Sequence, residues 1–148
     1  ILDPCCERTM FNGVTYGLGP AGYDLRVATA ITLWPGTSVL VDAIERFSMP
    51  SDVIGFLFSK STWGRLHIAP GGAVIEPGWR GVLRIPINMH AGHEPVTVLA
   101  GTGIAQVVFM RVEEPTERPY DGKYQDQGPS QEPLFEVGDY ELGNCNVG

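Results

Sequence analysis

The sequence is short of lysine and lacks long apolar runs. Only two of its 148 residues are lysines, Lys60 and Lys123, and the formal net charge is −7. Because a nucleic-acid backbone needs a basic protein face, this charge argues against nucleic acid as a partner, while a small anion can still bind where cations gather. No run approaches the roughly 18 apolar residues of a membrane-spanning helix, so no membrane association is expected.

Cysteine is also scarce. Cys5 and Cys6 are adjacent and Cys145 lies near the end of the chain, which makes neither a disulfide framework nor a CxxC metal pair. The first ten residues lack the basic-then-apolar layout of a signal peptide. We therefore expect a cytoplasmic, intracellular protein.

What the sequence does contain is a series of short β-forming runs separated by turns. Nineteen glycines and twelve prolines supply turn residues, and the strand-like runs cover residues 24–33, 38–47, 53–58, 96–100 and 104–112. This pattern is typical of an all-β sandwich or barrel. We expect one β domain over residues 1–114.

The composition changes after this domain, where residues 115–148 are polar and rich in proline, glycine and glutamine. Such a segment can be a disordered tail. However, four aromatic residues within it could anchor it to a surface: Tyr120, Tyr124, Phe135 and Tyr140. We expect a partly flexible C-terminal arm that closes over the active site.

The motif "SKSTWGR" brings together cations and hydroxyl groups after a predicted strand. Lys60, Ser61, Thr62 and Arg65 lie within six residues, and charge-assisted hydrogen bonds from such groups can hold a polyphosphate. Taken alone, the motif is better explained as an ordinary strand-end turn with solvated charges.

A second motif, "VIEPGWRG", places Glu76 at a tight Pro-Gly turn. A carboxylate on the rigid end of a strand can act as a general base that activates water. The alternative is an ordinary surface turn residue. Trp79 could cap a flat ligand or fill the core.

Five motifs in the same order resemble the dUTPase and dCTP deaminase superfamily, and the dCTP deaminase-like branch in particular. They are "AGYDLR" (21–26), "SKSTWGR" (59–65), "VIEPGWRG" (74–81), "GTGIAQVVF" (101–109) and "PYDGKYQDQ" (119–127). Ser59 and Gly64 depart from the second motif. The resemblance implies a jelly-roll-like β-sandwich, a homotrimer with active sites at subunit interfaces, and a deoxypyrimidine triphosphate substrate with Mg²⁺ on its phosphates.

The resemblance also assigns residues. Lys60, Ser61, Thr62, Arg65 and Lys123 would hold the phosphates, and Asp24 would orient a metal-bound water. Trp79 would pack against the deoxyribose, and the rest of the pocket would be formed by Gln106, Tyr120, Tyr124 and Gln125.

Pro86 is the main departure from the branch. Counted from the hairpin without gaps, deaminases carry at this position the glutamate that moves protons between the attacking water, the cytosine ring and the leaving amine. Proline offers no acid, no base and no backbone donor. Because proline is tolerated in sheets at edges or bulges, it also predicts one of these at position 86.

These observations favour a diphosphatase that converts dUTP, dCTP or both to the monophosphate and pyrophosphate, with Glu76 as the catalytic base. One alternative is a dCTP deaminase with an altered proton relay. A second is a nucleotide-binding regulator without turnover. The base preference and the order of the arm's end stay open.

Overall fold

The computed structural model describes residues 1–132, which form two larger β-sheets, a two-stranded sheet and one helical turn. The elements are β1 (Leu2–Asp3), β2 (Thr9–Phe11), β3 (Val14–Leu18), β4 (Tyr23–Arg26), β5 (Ile31–Leu33), β6 (Ser38–Ser48), β7 (Val53–Ser59), α1 (Ser61–Gly64), β8 (Ile68–Pro70), β9 (Val74–Ile75), β10 (Arg80–Met89), β11 (Val96–Val98) and β12 (Gly103–Arg111).

The strands form a β-sandwich of the predicted class. One sheet has the order β1-β6-β10-β8, a six-stranded sheet has the order β2-β3-β4-β12-β7-β9, and β5 pairs with β11. No helix among residues 1–132 has the length and apolarity needed to cross a membrane.

The core lies between the sheets because the long strands alternate buried and more exposed residues. In β10 the odd-numbered residues are the buried ones, as Ile85 and Ile87 are fully buried. Phe47 of β6 packs 5.7 Å from the Trp79 ring and 6.4 Å from the Phe109 ring of β12. The core therefore reaches the tryptophan of the hairpin motif and holds it in place.

A buried charge cluster also joins the two sheets. Glu45 of β6 is fully buried and accepts hydrogen bonds from the Arg26 backbone N–H (3.0 Å) and from its Nε (2.8 Å). Burial, together with the negative charge of Glu45, raises the pKa of Tyr23 above its usual range. Burial alone would lower the pKa of Arg26, but its hydrogen bond to Glu45 raises it overall. Paired in this way, the buried glutamate links β4 to β6.

The predicted strand over residues 24–33 is divided in the structure into β4 and β5. Between them the backbone N–H of Ala28 bonds to the Asp42 carbonyl of β6, and Val27 bridges Ala43. The chain thus crosses from one sheet toward the other, and a single run of β-forming residues does not reveal such a crossing.

The prediction for Pro86 is correct in part. β10 is an inner strand whose pairing with β6 continues through Pro86 opposite Leu40, and its register shift lies earlier, between Val82 and Arg84. On the other side, pairing with β8 ends at Ile87 opposite Pro70. The Pro86 carbonyl accepts from Gly71 just beyond that end. Pro86, which has no backbone N–H, therefore lies at the end of the hydrogen-bonded ladder between β10 and β8 and not at a bulge.

Candidate functional site

The hairpin turn positions Glu76 at the mouth of a cavity. The backbone N–H of Trp79 donates a hydrogen bond to the Glu76 carbonyl (3.1 Å) and closes the turn. Gly78 has a positive φ of 84°, a conformation that favours glycine. The Glu76 side chain is exposed and borders the cavity, whereas Trp79 is buried and lines it. Trp79 therefore both fills the core and forms a wall of the cavity.

The start of the C-terminal arm is hydrogen-bonded to this hairpin. Tyr120 N–H donates to the Pro77 carbonyl (2.8 Å), and the Trp79 indole N–H donates to the Tyr124 carbonyl (2.8 Å). A Cβ at Gly78 would lie 2.5 Å from Pro119 Cβ, and one at Gly81 would lie 3.0 Å from the Gln127 backbone. The two glycines of the hairpin motif thus allow the arm to approach closely.

Gln125, predicted to contact the ligand, instead bonds to the protein backbone. Its Nε2 donates to the carbonyls of Gly78 and Tyr120, both at 3.0 Å, and its Oε1 accepts from the Arg80 N–H (2.8 Å). It is not part of the cavity lining. Its role in this structure is to fix the arm on the hairpin.

An ion pair secures the next turn of the arm. Asp126 accepts from Arg80 Nε (3.0 Å) and Nη2 (2.8 Å), and lies 3.8 Å from Arg46 Nη2. The hydrogen bonds and charge of Arg80 hold the pKa of Asp126 below its ordinary value of 3.8 and raise that of Arg80. The arm is therefore attached in part through charge.

Between hairpin and arm lies a cavity of about 380 Å³. Its lining is mostly apolar and aromatic, with a few polar groups. The lining residues are Leu40, Val74, Ile75, Glu76, Trp79, Leu83, Arg84, Tyr120, Tyr124, Gln127 and Gln131. A concave apolar site with few polar groups is the usual form of a small-molecule pocket. Of the predicted site residues, the structure brings together Glu76, Trp79, Tyr120 and Tyr124 here.

A second cluster lies on the six-stranded sheet. Lys60 is buried and its ammonium pairs with Asp24 Oδ2, which also accepts from Thr15 Oγ1 at 3.1 Å. Gln106 faces Asp24 across the β4–β12 ladder. The motifs predict Lys60 on a phosphate and Asp24 beside a metal-bound water, but they do not indicate that the two side chains pair with each other.

The other predicted phosphate ligands are exposed. Ser61 and Thr62 lie on α1, Arg65 follows it, and Lys123 lies with its Nζ 5.1 Å from the centre of the Tyr124 ring. None of these, nor Lys60 or Gln106, lines the cavity. Within one subunit the predicted phosphate ligands are therefore separate from the pocket that contains Glu76.

The metal role predicted for Asp24 is an indirect one, through a water molecule. Among residues 1–132, no group of three histidine, cysteine or carboxylate side chains is arranged to hold a metal ion. The Asp24 Oδ1 atom is buried and accepts no hydrogen bond within this part of the chain. Such an oxygen fits a contact to a metal-bound water.

The structure also shows cavity residues that sequence analysis missed. Arg84 lines the cavity, and its Nε lies 3.1 Å from Asp42 Oδ1 on the neighbouring strand β6. Asp42 Oδ2 in turn accepts from the Ser130 N–H (2.9 Å). The sequence feature that could have indicated Arg84 as a cavity residue is its position two residues before Pro86, on the same face of the strand. Asp42 gave no such signal, because only the β6–β10 pairing brings it here.

Predictions that involve Phe135, Tyr140 and Cys145 lie outside the described residues. Whether the arm's last residues cover the cavity therefore stays a prediction.

Comparisons with known proteins agree with the fold and the motifs. A family model described as dCTP deaminase-like matches residues 24–112. The dCTP deaminase of Campylobacter fetus is 31% identical, with 86% of each chain covered, and that of Thermococcus gammatolerans is 36% identical, with 73% of this chain and 78% of the relative covered.

Solved structures of low sequence identity share the fold. A mutant dUTPase from phage phi11 of S. aureus has a TM-score of 0.60 at 17% identity, covering 82% of this chain and 94% of the phage protein. The dUTPase of EIAV gives the same TM-score and identity, covering 83% and 98%. The resemblance found in the sequence is confirmed, and the chain belongs to the dCTP deaminase-like family of the dUTPase and dCTP deaminase superfamily.

Proposed function

We propose that the protein binds a deoxypyrimidine nucleoside triphosphate in the cavity between hairpin and arm and hydrolyses it to the monophosphate and pyrophosphate. The observation that carries this proposal is the distribution of acids. Glu76 borders the cavity and is its only carboxylate among the described lining residues, while Pro86 occupies the position of the deaminase glutamate. The cavity thus has one carboxylate base, Glu76, among its described lining residues, and position 86 offers no second one.

In the proposed reaction, Glu76 accepts a proton from a water molecule that attacks the α-phosphorus. A new P–O bond forms to the water oxygen, and the bond from the α-phosphorus to the bridging oxygen breaks, so that pyrophosphate leaves. Positioned proton transfer of this kind contributes about 10²–10⁴ in rate. Mg²⁺ on the phosphates would neutralise charge, and Asp24 Oδ1 would accept a hydrogen bond from one of its waters.

The phosphate clamp is proposed to come from a second subunit. The predicted ligands Lys60, Ser61, Thr62, Arg65 and Lys123 do not line the cavity of their own chain. A homotrimer with sites at subunit interfaces would supply these groups from a neighbour. Ser61, Thr62, Arg65 and Lys123 are exposed, as this arrangement requires. Lys60 is buried and paired with Asp24, so it would have to leave that pair to reach a phosphate.

Deamination of dCTP is the second candidate, and the relatives favour it by name. Both curated relatives described above are dCTP deaminases. A deaminase reaction would need a proton relay that does not use position 86. Asp42 is the nearest described carboxylate across the ladder, but it is ion-paired with Arg84 and does not line the cavity.

A product assay separates these candidates. Purified protein is incubated with Mg²⁺ and either dUTP or dCTP, and pyrophosphate and ammonia are measured separately. We expect pyrophosphate without ammonia. Ammonia from dCTP would replace the proposal with deamination, and tight nucleotide binding without either product would replace it with a regulatory role.

A further inference from the structure

Arg84 is the only cationic side chain among the described residues that line the cavity. Its side chain is 15% exposed and lies on the same face of β10 as Pro86, so it extends from a rigid inner strand. The cations predicted to bind phosphates are outside this cavity. The proposed function assigns the phosphates to those residues, which leaves Arg84 without an assigned ligand group.

The guanidinium of Arg84 is partly engaged by the protein. Its Nη1 donates to the Gln131 carbonyl at 2.6 Å and lies 3.7 Å from Glu132 Oε1. Its Nε is buried 3.1 Å from Asp42 Oδ1 in an ion pair without a hydrogen bond among residues 1–132. Nη2 takes part in none of these three contacts and is the nitrogen left to a ligand. Because a guanidinium has N–H donors and no acceptor, the group left over can only donate.

The position of Arg84 along the strand indicates which part of a ligand it would meet. Arg84 lies four residues, or about 13 Å, beyond Arg80 at the start of β10, whereas Glu76 precedes the strand at the turn. If the α-phosphate lies near Glu76, as the proposed function requires, the base extends toward Arg84. In a pyrimidine nucleotide the 4-substituent is opposite the sugar-bearing nitrogen, so it is the group that reaches farthest.

We propose that Arg84 selects the base by its 4-substituent and favours a keto pyrimidine of the uracil type over an amino pyrimidine of the cytosine type. This inference rests on the proposed function for the orientation of the ligand. A uracil O4 accepts a hydrogen bond from Nη2. A cytosine amino group presents N–H donors to the same donor, which leaves both groups unpaired in a mostly apolar site.

The test compares Arg84→Met with the wild-type protein. We expect wild-type kcat/KM for pyrophosphate release to be about tenfold to a hundredfold higher for dUTP than for dCTP, as expected for a hydrogen bond to a charged group. In Arg84→Met this ratio should fall toward one, mainly through loss of dUTP activity. A wild-type preference for dCTP, or an equal loss for both substrates in the variant, would refute the inference.

Asp42→Asn is the matched control. It removes the negative charge that pairs with Arg84 and accepts from Ser130 of the arm, but it keeps the guanidinium and the Oδ1 atom. Both substrates should therefore be affected alike, and the dUTP-to-dCTP ratio should persist. Thermal unfolding of each variant shows whether it folds. If Arg84→Met does not fold, Arg84→Lys replaces it and should lower the ratio, because an ammonium lacks the guanidinium fork.

Calorimetric binding of α,β-imido dUTP and dCTP analogues separates this inference from the proposed function. A preference for the uracil analogue that disappears in Arg84→Met supports the inference even if the protein hydrolyses neither nucleotide. Equal binding of the two analogues to the wild-type protein refutes it, whatever the outcome of the product assay.

Discussion

At the scale of single residues, the proposed chemistry depends on how Glu76 is presented. Its carboxylate lies on a turn closed by the Trp79 N–H and followed by the long strand β10. The backbone is therefore rigid, although the side chain is exposed. Attack geometry is sensitive to shifts of about 1 Å, so the reach of the glutamate side chain from this turn matters for the reaction.

The variant Glu76→Gln tests this role. The amide cannot accept the proton, so pyrophosphate release should fall by about 10²-fold or more, while binding of a non-hydrolysable deoxynucleotide stays within about twofold. Rates and calorimetric affinities check the two parts. Glu76→Asp is the control, since it keeps a carboxylate and should retain more activity than Glu76→Gln. Full activity in Glu76→Gln would show that the base is another residue.

At the scale of elements, the relation between the arm and β10 shapes the cavity. The Val82 N–H donates to the Gln127 carbonyl (2.8 Å), and Gln127 Nε2 donates to the Val82 carbonyl (2.7 Å). The arm thus uses backbone groups of β10 in the part of the strand that β8 does not pair with. Together with the Arg80–Asp126 ion pair, these bonds make the arm one wall of the pocket.

Loss of the Asp126 charge should loosen the arm. Because the pKa of Asp126 is lower in the folded protein than its ordinary value of 3.8, its charge stabilises the attached arm fully above pH 3.8. This stabilisation is lost as pH falls through the lower native pKa. In Asp126→Asn, amide hydrogen exchange over residues 119–131 should rise a few-fold at pH 7 and depend less on acidification below pH 3.8.

Asp121→Asn is the control for this measurement, because Asp121 is an exposed carboxylate of the same segment. It should leave the exchange unchanged. Equal exchange in Asp126→Asn and wild type would mean that the backbone bonds alone hold the arm.

At the scale of the whole molecule, the predicted site residues form two groups. Glu76, Trp79, Tyr120 and Tyr124 surround the cavity, whereas the Lys60–Asp24 pair and Gln106 lie on the six-stranded sheet. For a triphosphate site that uses both groups, we propose that surfaces of different subunits combine. Symmetric oligomers build such sites with the same pair of surfaces repeated at every interface.

Mixing two inactive variants tests this arrangement. Glu76→Gln and Arg65→Ala are co-expressed with different tags, and assemblies that contain both tags are purified. If each site takes Glu76 from one subunit and Arg65 from the next subunit of a trimer, a doubly tagged trimer restores both groups in about one third of its sites, and pyrophosphate release recovers accordingly. No recovery in doubly tagged assemblies would place both residues of a site in one chain.

The fold class was predictable because its signals are local. The alternation in β6, β10 and β12 fixes which side chains enter the core, and the turn residues separate the strands. The strands β1 to β3 were not anticipated, since they are short and their partners are distant in sequence. The break between β4 and β5 was missed for the same reason.

In the candidate site, too, features that depend on neighbouring residues could be predicted, whereas contacts between distant residues could not. The β-sandwich, the family, the turn that carries Glu76 and the absence of an acid at position 86 can all be predicted from the amino-acid order, because each depends on residues close together in the chain. The folded chain was needed to find that Lys60 pairs with Asp24, that Gln125 fixes the arm, and that Arg84 lines the cavity beside Asp42. These contacts depend on strand register and chain crossings, which place residues from distant parts of the sequence within hydrogen-bonding distance.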